Sequence, residues 1–176
     1  AYGIYNQYGN LVIAAGTTEN PLLEVSFTVE YPIALFFSEY GEGSSYNKYF
    51  EIYNNTNADI DLNDYSLSNC SNGCDLAGEF DYPNNITFDA GTIIAPGQVF
   101  VIAHPDADPN ILDQADFTDF IYMPNGDDAF AITMAGATAN NYTIIDIIGN
   151  MGEDPGDGWS VSGIENATKN HTLVRK

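Results

Sequence analysis

The chain has 176 residues, is 44% hydrophobic, and carries 25 acidic residues against four basic ones, a net charge of −21. Length and apolar content are enough for one sizeable core, so one domain with an extension is expected. Nucleic-acid binding needs cations that displace counterions from phosphate. With only Lys48, Lys169, Arg175 and Lys176 available, DNA, RNA and anionic lipid are not expected as partners.

The charge suits a salty or calcium-containing medium, where self-repulsion is screened. Tyr, Phe, Asn, Asp, Thr and Gly dominate, a strand-and-turn composition poor in the long straight side chains that favour helices. The apolar runs "IALFF" and "VFVIA" are strand-sized, so membrane insertion is not expected. No signal peptide is visible; Ala1 reads as a mature N-terminus or as a simple boundary.

In chain order, "NLVIAAG" comes first and "LLEVSFTVEY" second. The latter sets Leu23, Val25, Phe27 and Val29 against Glu24, Ser26, Thr28 and Glu30, a half-buried strand that Pro32 ends. "IALFFSEY", the turn "GEGSS" and "KYFEIYN" predict a hairpin with Phe50 and Ile52 on one face and Tyr49, Glu51 and Tyr53 on the other. "IDLNDYSLSN" reads as a strand with an Asp/Asn corner. "NITFDAGTIIAPGQVFVIAH" reads as two strands around the Pro96-Gly97 turn. Residues Pro105 to Asp119 are the one expected non-β piece, a helical turn with Asp113 and Asp116 near its start. "FIYMPNGDDAFAITMAG" predicts a hairpin with Asn125-Gly126 as its loop. "NYTIIDIIGN" continues the meander, and "HTLVRK" is a final strand. Regularly spaced short strands with turn signals between them argue an all-β sandwich.

Several of these stretches occur together in one known family. "FFSEYGEGSSYNKYFEIYNNTNADIDLNDYSL", "GTIIAPGQVFVIAHPDAD", "MPNGDDAFAI", "IIDIIGNMGEDPGDGW" and "NHTLVRK" follow one another in the order found in lamin-tail domains. The chain from Ile33 to Lys176 therefore resembles a lamin-tail domain of the bacterial extracellular type; residues 1–31 lie outside the resemblance. It implies an immunoglobulin-like β-sandwich over residues 32–176, with residues 1–31 as an extra N-terminal β segment. Bacterial members occur on secreted or surface proteins, often beside hydrolase domains, and the family has no agreed catalytic residues to carry over. Nuclear lamins carry their version after a coiled-coil rod, and this chain has no heptads.

The chemistry-bearing residues are few. Cys70 and Cys74 flank an Asn-Gly turn in "NCSNGCD". A zinc site would need two further ligands, and His104 and His171 do not have finger spacing, so a small disulfide loop is expected. Sequons begin at Asn54, Asn85, Asn141, Asn166 and Asn170, as chance allows in a chain rich in Asn and Thr. Glu39, Glu42 and Glu51 could flank a glycosidic bond. The plainer reading puts Glu42 on a solvated turn and Glu51 on an outer strand face, with Lys48 as a pairing partner. "GWSVSG" lacks the order of a nucleophile elbow, and no phosphate or dinucleotide motif is present. Catalysis is not expected.

No cofactor is called for; a structural calcium is the one ion the loops suit. Asp106, Asp108, Asn110 and Asp113 imitate the start of an EF-hand loop, but Ile111 replaces its glycine and no glutamate closes it. Asp127 and Asp128, and Glu153, Asp154 and Asp157, form two other oxygen-rich turns, a pattern most often just solvated. Trp159 follows a Gly/Asp turn and reads as a core plug before it reads as a sugar-stacking platform.

The segment outside the resemblance carries the clearest functional expectation. "AYGIYNQYGNLVIAAG" is apolar and aromatic, with no charge before Glu19. Exposed, uncharged β-prone segments are aggregation hazards. Tyr2, Ile4, Tyr5, Tyr8, Leu11, Val12 and Ile13 are thus expected to pair, either within the same sandwich or by strand addition to a second copy. The expectation is a non-catalytic extracellular or cell-surface protein, a self-assembling or adhesive subunit whose partner is itself. The competing reading is an accessory polymer- or surface-binding module of a secreted hydrolase.

Overall fold

In a computed structural model, residues 4–5, 11–13, 33–152 and 154–175 are described. The chain divides into two compact units, residues 1–32 and 33–176. In the first, β1 (Ile4–Tyr5) pairs antiparallel with β2 (Leu11–Ile13), a two-stranded sheet of their own. Tyr2, Tyr8 and the strand expected over "LLEVSFTVEY" lie outside the described residues.

The second unit is a sandwich of two four-stranded antiparallel sheets. Its strands are β3 (Leu35–Glu42), β4 (Lys48–Asn54), β5 (Ile60–Asp61), β6 (Tyr65–Cys70), β7 (Tyr82–Thr87) and β8 (Ile93–Ile94). They continue with β9 (Val99–Ala103), β10 (Ala129–Met134), β11 (Ile144–Ile148) and β12 (His171–Val174). One sheet has the order β12-β3-β4-β9 and the other β11-β10-β6-β7; β5 and β8 form a short ribbon. The inward set follows from strict alternation along each strand. Phe50 and Ile52 of β4 are fully buried, as their spacing predicts, together with Leu67 of β6 and Phe130 and Ile132 of β10. The two sheets meet through aromatic rings, with the Phe50 and Phe130 centroids 4.8 Å apart.

Three local expectations are corrected. The hairpin around Asn125-Gly126 does not form: residues 118–128 contain no strand, and Ile121 and Tyr122 are exposed. Both edges of β10 are already taken, by β6 and by β11, so no edge remains for a strand before it. The turn itself survives, closed by the Asn125 N–H donating to Asp128 Oδ2 at 3.1 Å. The helical turn is α1 (Pro109–Leu112); it begins after Asp108, with Asp113 and Asp116 beyond its end. Pro109 sets the start, because proline suits the first helical position. Finally, Glu42 is not on a solvated turn but only 4% exposed, at the end of β3.

Candidate binding cleft

The side chains read as chemistry in the sequence are mostly absorbed by structure. Cys70 and Cys74 form a disulfide. Glu39 and Glu51 are cross-strand partners; Glu39 accepts from Tyr49 OH at 2.9 Å and Glu51 from Ser38 Oγ at 2.7 Å. Burial and the bond to Glu39 push the Tyr49 hydroxyl above its ordinary value. His104 is buried, stacked on Tyr46 at 4.4 Å, and its Nδ1 accepts the Asp106 N–H at 3.0 Å. His171 is exposed at the start of β12.

Asp106, Asp108, Asn110 and Asp113 are not brought together. Asp108 exchanges two hydrogen bonds of 2.7 Å with the Asn47 amide, which ties this loop to the β3–β4 turn. The Asn110 carbonyl accepts from Gln114 at 2.9 Å. Among the described residues no three His, Cys, Asp or Glu side chains converge as a metal site would require.

Glu42 sits in a knot that the sequence did not reveal. One carboxylate oxygen accepts from Lys48 Nζ and the other from the Asn170 N–H. Lys48 Nζ also donates to the Pro124 carbonyl at 2.7 Å. One ion pair thereby joins the first hairpin, the 124–128 turn and the residue preceding β12. Beside it, Asp128 accepts from Ser71 Oγ and the Asn72 N–H. Burial lifts the Tyr40 hydroxyl far above its ordinary value, and the charges on Glu42, Asp128 and Asp127 lift it further. Asp127 is also raised, by partial burial and by Asp128 and Asp154.

A concavity lies where the two sheets end side by side. Four segments and Thr168 line it: residues 37–40 of β3, 147–149 at the end of β11, 159–161, and 173–175 at the end of β12. Its volume is about 400 Å³, within the roughly 300–1,000 Å³ typical of binding clefts. A β-bulge in β3, where Phe37 faces Ile52 and Glu39 faces Glu51, shapes this end. Beside the bulge, the Phe37 N–H donates to Asp146 Oδ2 at 2.9 Å. Asp146 Oδ1 accepts both Arg175 terminal nitrogens at 3.1 Å, and that guanidinium lies 5.2 Å over the Phe36 ring. The Arg175 N–H donates to Ser38 O at 2.9 Å, which continues the pairing past β12.

Trp159 is half-buried against the outer face of the β11-β10-β6-β7 sheet and also lines the cleft. It is therefore neither a plug of the main core nor a freely exposed platform. Its backbone N–H donates to Thr168 Oγ1 at 2.7 Å, and Thr168 Oγ1 donates to Gly126 O at 2.6 Å. Gly149 makes this approach possible. It has φ +84°, and a Cβ there would stand 2.7 Å from Trp159 Nε1. Tyr40 OH and Trp159 Nε1 are buried donors with no hydrogen-bond partner among the described residues.

Two facing antiparallel sheets with a closing edge strand define an immunoglobulin-like β-sandwich. The lamin tail domain family model matches residues 30–150, more than half of the chain, and the protein belongs to that family. The family is generally non-catalytic. No curated protein matches the chain. Strand β12 and most of the Trp159 loop lie beyond the matched residues, yet β12 pairs with β3 over His171↔Glu42 to Val174↔Glu39. The cleft is thus built jointly from the matched segment and the residues after it.

Proposed function

We propose that this protein is a non-catalytic structural subunit of an extracellular assembly, joined to its neighbours by β-strand addition from residues 1–31. The observation that carries this reading is the N-terminal hairpin. β1 and β2 form a two-stranded sheet of only two and three residues. A ribbon of that size is marginal in water and needs a further surface for stability. It sits in a segment with no charge before Glu19, in a chain of net charge −21. Between like-charged subunits, an uncharged, aromatic, β-prone segment is the part that approaches at least electrostatic cost. The Cys70–Cys74 disulfide fits an oxidising, extracellular setting. No helix among the described residues is long and apolar enough to cross a membrane.

The test is negative-stain microscopy and light scattering of the full chain beside a variant lacking residues 1–16. The full chain should form polymers that survive dilution, and the deletion should leave monomers. A full chain that stays monomeric at all concentrations, or a deletion variant that assembles normally, would overturn the proposal. A monomer that instead binds a glycan or surface polymer would point to an accessory binding module.

A further inference from the structure

We infer that the cleft between the ends of β11 and β12 is the acceptor for the N-terminal segment, residues 1–16, of a second copy. This rests on the subunit reading above and names the site it leaves open.

The two four-stranded sheets end in four edge strands, β12, β9, β11 and β7. An open edge is a template for pairing, and proteins blunt the edges they do not use. β9 is covered: the Asp116 and Phe117 N–H groups donate to Val101 O, Val101 N–H donates to Asp116 Oδ2, and Ile102 bridges to Phe117. β7 is interrupted, with Pro83 inside it, Asn84 at φ 51° and a register shift against β6. Pro83 can donate to no added strand. Among the described residues nothing covers β12, and the register shift of β11 against β10 falls at Ile144–Asp146, before the regularly paired Ile147–Ile148 end. β12 contains neither proline nor acidic side chain, and the one charge in β11, Asp146, is buried and turned to Phe37 N–H and Arg175. These two edges are the ones that flank the cleft.

Charge identifies the occupant. Three of the four cations are engaged internally: Lys48 with Glu42, Lys169 with Asp157, and Arg175 with Asp146. The cleft's own cation is therefore neutralised, its carboxylate, Glu39, accepts from Tyr49 OH, and the site does not call for a charged partner. Its walls instead carry Phe37, Ile147, Ile148, Val161, Leu173 and Val174. That lining matches an uncharged strand with apolar side chains at alternate positions. Residues 1–16 supply it, with Tyr2 and Ile4, and Leu11, Ile13 and Ala15, at alternate positions.

Val161 and Val174 are exposed, at 38% and 57%, so Val161→Asp with Val174→Asp places charge in the cleft without touching the core. Desolvating charge against an incoming apolar strand should raise the critical concentration for assembly at least ~tenfold. Tyr122→Asp, at a 74% exposed position outside the cleft, should change nothing. A second reading uses Trp159, the single tryptophan of the chain and part of the cleft. A synthetic peptide of residues 1–16, added to full-length protein below its critical concentration, should shift that fluorescence saturably, and a scrambled peptide should not. If the cleft variant assembles like the wild type while deletion of residues 1–16 abolishes assembly, the acceptor lies elsewhere and only this inference fails. If the deletion variant also assembles, the subunit reading fails with it. Should the double variant misfold, absence of a peptide response in the wild type overturns the inference by itself.

Discussion

Replacing Lys48 by methionine tests the knot that fixes one wall of the cleft. The Lys48 and Glu42 side chains are only 13% and 6% exposed, and their pair links the first hairpin to the residue before β12. A methionine fills similar volume but leaves the Glu42 carboxylate without its cation, close to Asp127 and Asp128, and the Pro124 carbonyl without its donor. Breaking one side of a buried pair costs about 3–5 kcal/mol, because the remaining charge stays desolvated. For a chain of this size each kcal/mol is about 2–4 °C in Tm, so the melting point should fall by roughly 6–20 °C. The double variant Lys48→Met with Glu42→Met removes the stranded charge and should recover most of that loss. It retains a deficit of about 1–3 kcal/mol because the Asn170 N–H loses its acceptor. Urea unfolding followed by circular dichroism, on wild type, both single variants and the double, gives the coupling directly. A Lys48→Met loss below ~1 kcal/mol would mean the pair behaves as a surface ion pair. Strictly additive single losses would equally refute the reasoning.

Asp146→Ala should cost about 1–3 kcal/mol by stranding the Phe37 N–H, with Asp146→Asn costing less because an acceptor remains; equal losses in urea unfolding would contradict this. Asp127 is held above its ordinary value, so the folded state binds its proton more tightly than the unfolded chain does. Its contribution is therefore fully present below the unfolded value, about 3.9, and lost as pH rises through the folded one. Asp127→Asn should accordingly gain stability at pH 7 relative to wild type and show no gain near pH 3.5. Melts at both pH values decide it, and a loss at pH 7 contradicts it. Assembly should quicken as salt rises from ~10 to ~150 mM, which shortens the screening length from about 30 to about 8 Å and weakens repulsion between subunits of charge −21. Light scattering that falls with salt would indicate charge-driven contacts instead.

Much of the sandwich was legible because one face of each strand is buried and the side-chain period is two. The pattern of "KYFEIYN" alone places Phe50 and Ile52 inward, and both are fully buried. The failures share a cause, which is competition for partners that local sequence does not record. "FIYMPNGDDAFAI" has hairpin chemistry, yet β10 finds both neighbours elsewhere in the chain, in β6 and β11. Glu42 follows the strand and precedes Gly43, so it reads as solvated. Only the return of Asn170 and Pro124 to the same point, from over eighty residues away, buries it.

The cleft was less legible still, because each of its four segments has an ordinary explanation alone. Ile147 and Ile148 read as a strand, Leu173 and Val174 as another, and Trp159 as core. The signal lies in what those segments lack relative to the other edges. Where β7 carries Pro83 and β9 is covered by Asp116 and Phe117, the Ile147–Ile148 end of β11 and the end of β12 carry no proline and no cover among the described residues. A chain with four basic residues has little cationic side chain with which to blunt an edge. Its one cation at this edge, the exposed Arg175, is paired with Asp146. In the proposed assembly, with that cation paired, repulsion between acidic copies is what opposes indiscriminate edge pairing. That repulsion discriminates: it opposes approach by any acidic strand of another copy and leaves the uncharged N-terminal segment least opposed. Specific strand addition and high net negative charge are on this view two parts of one device.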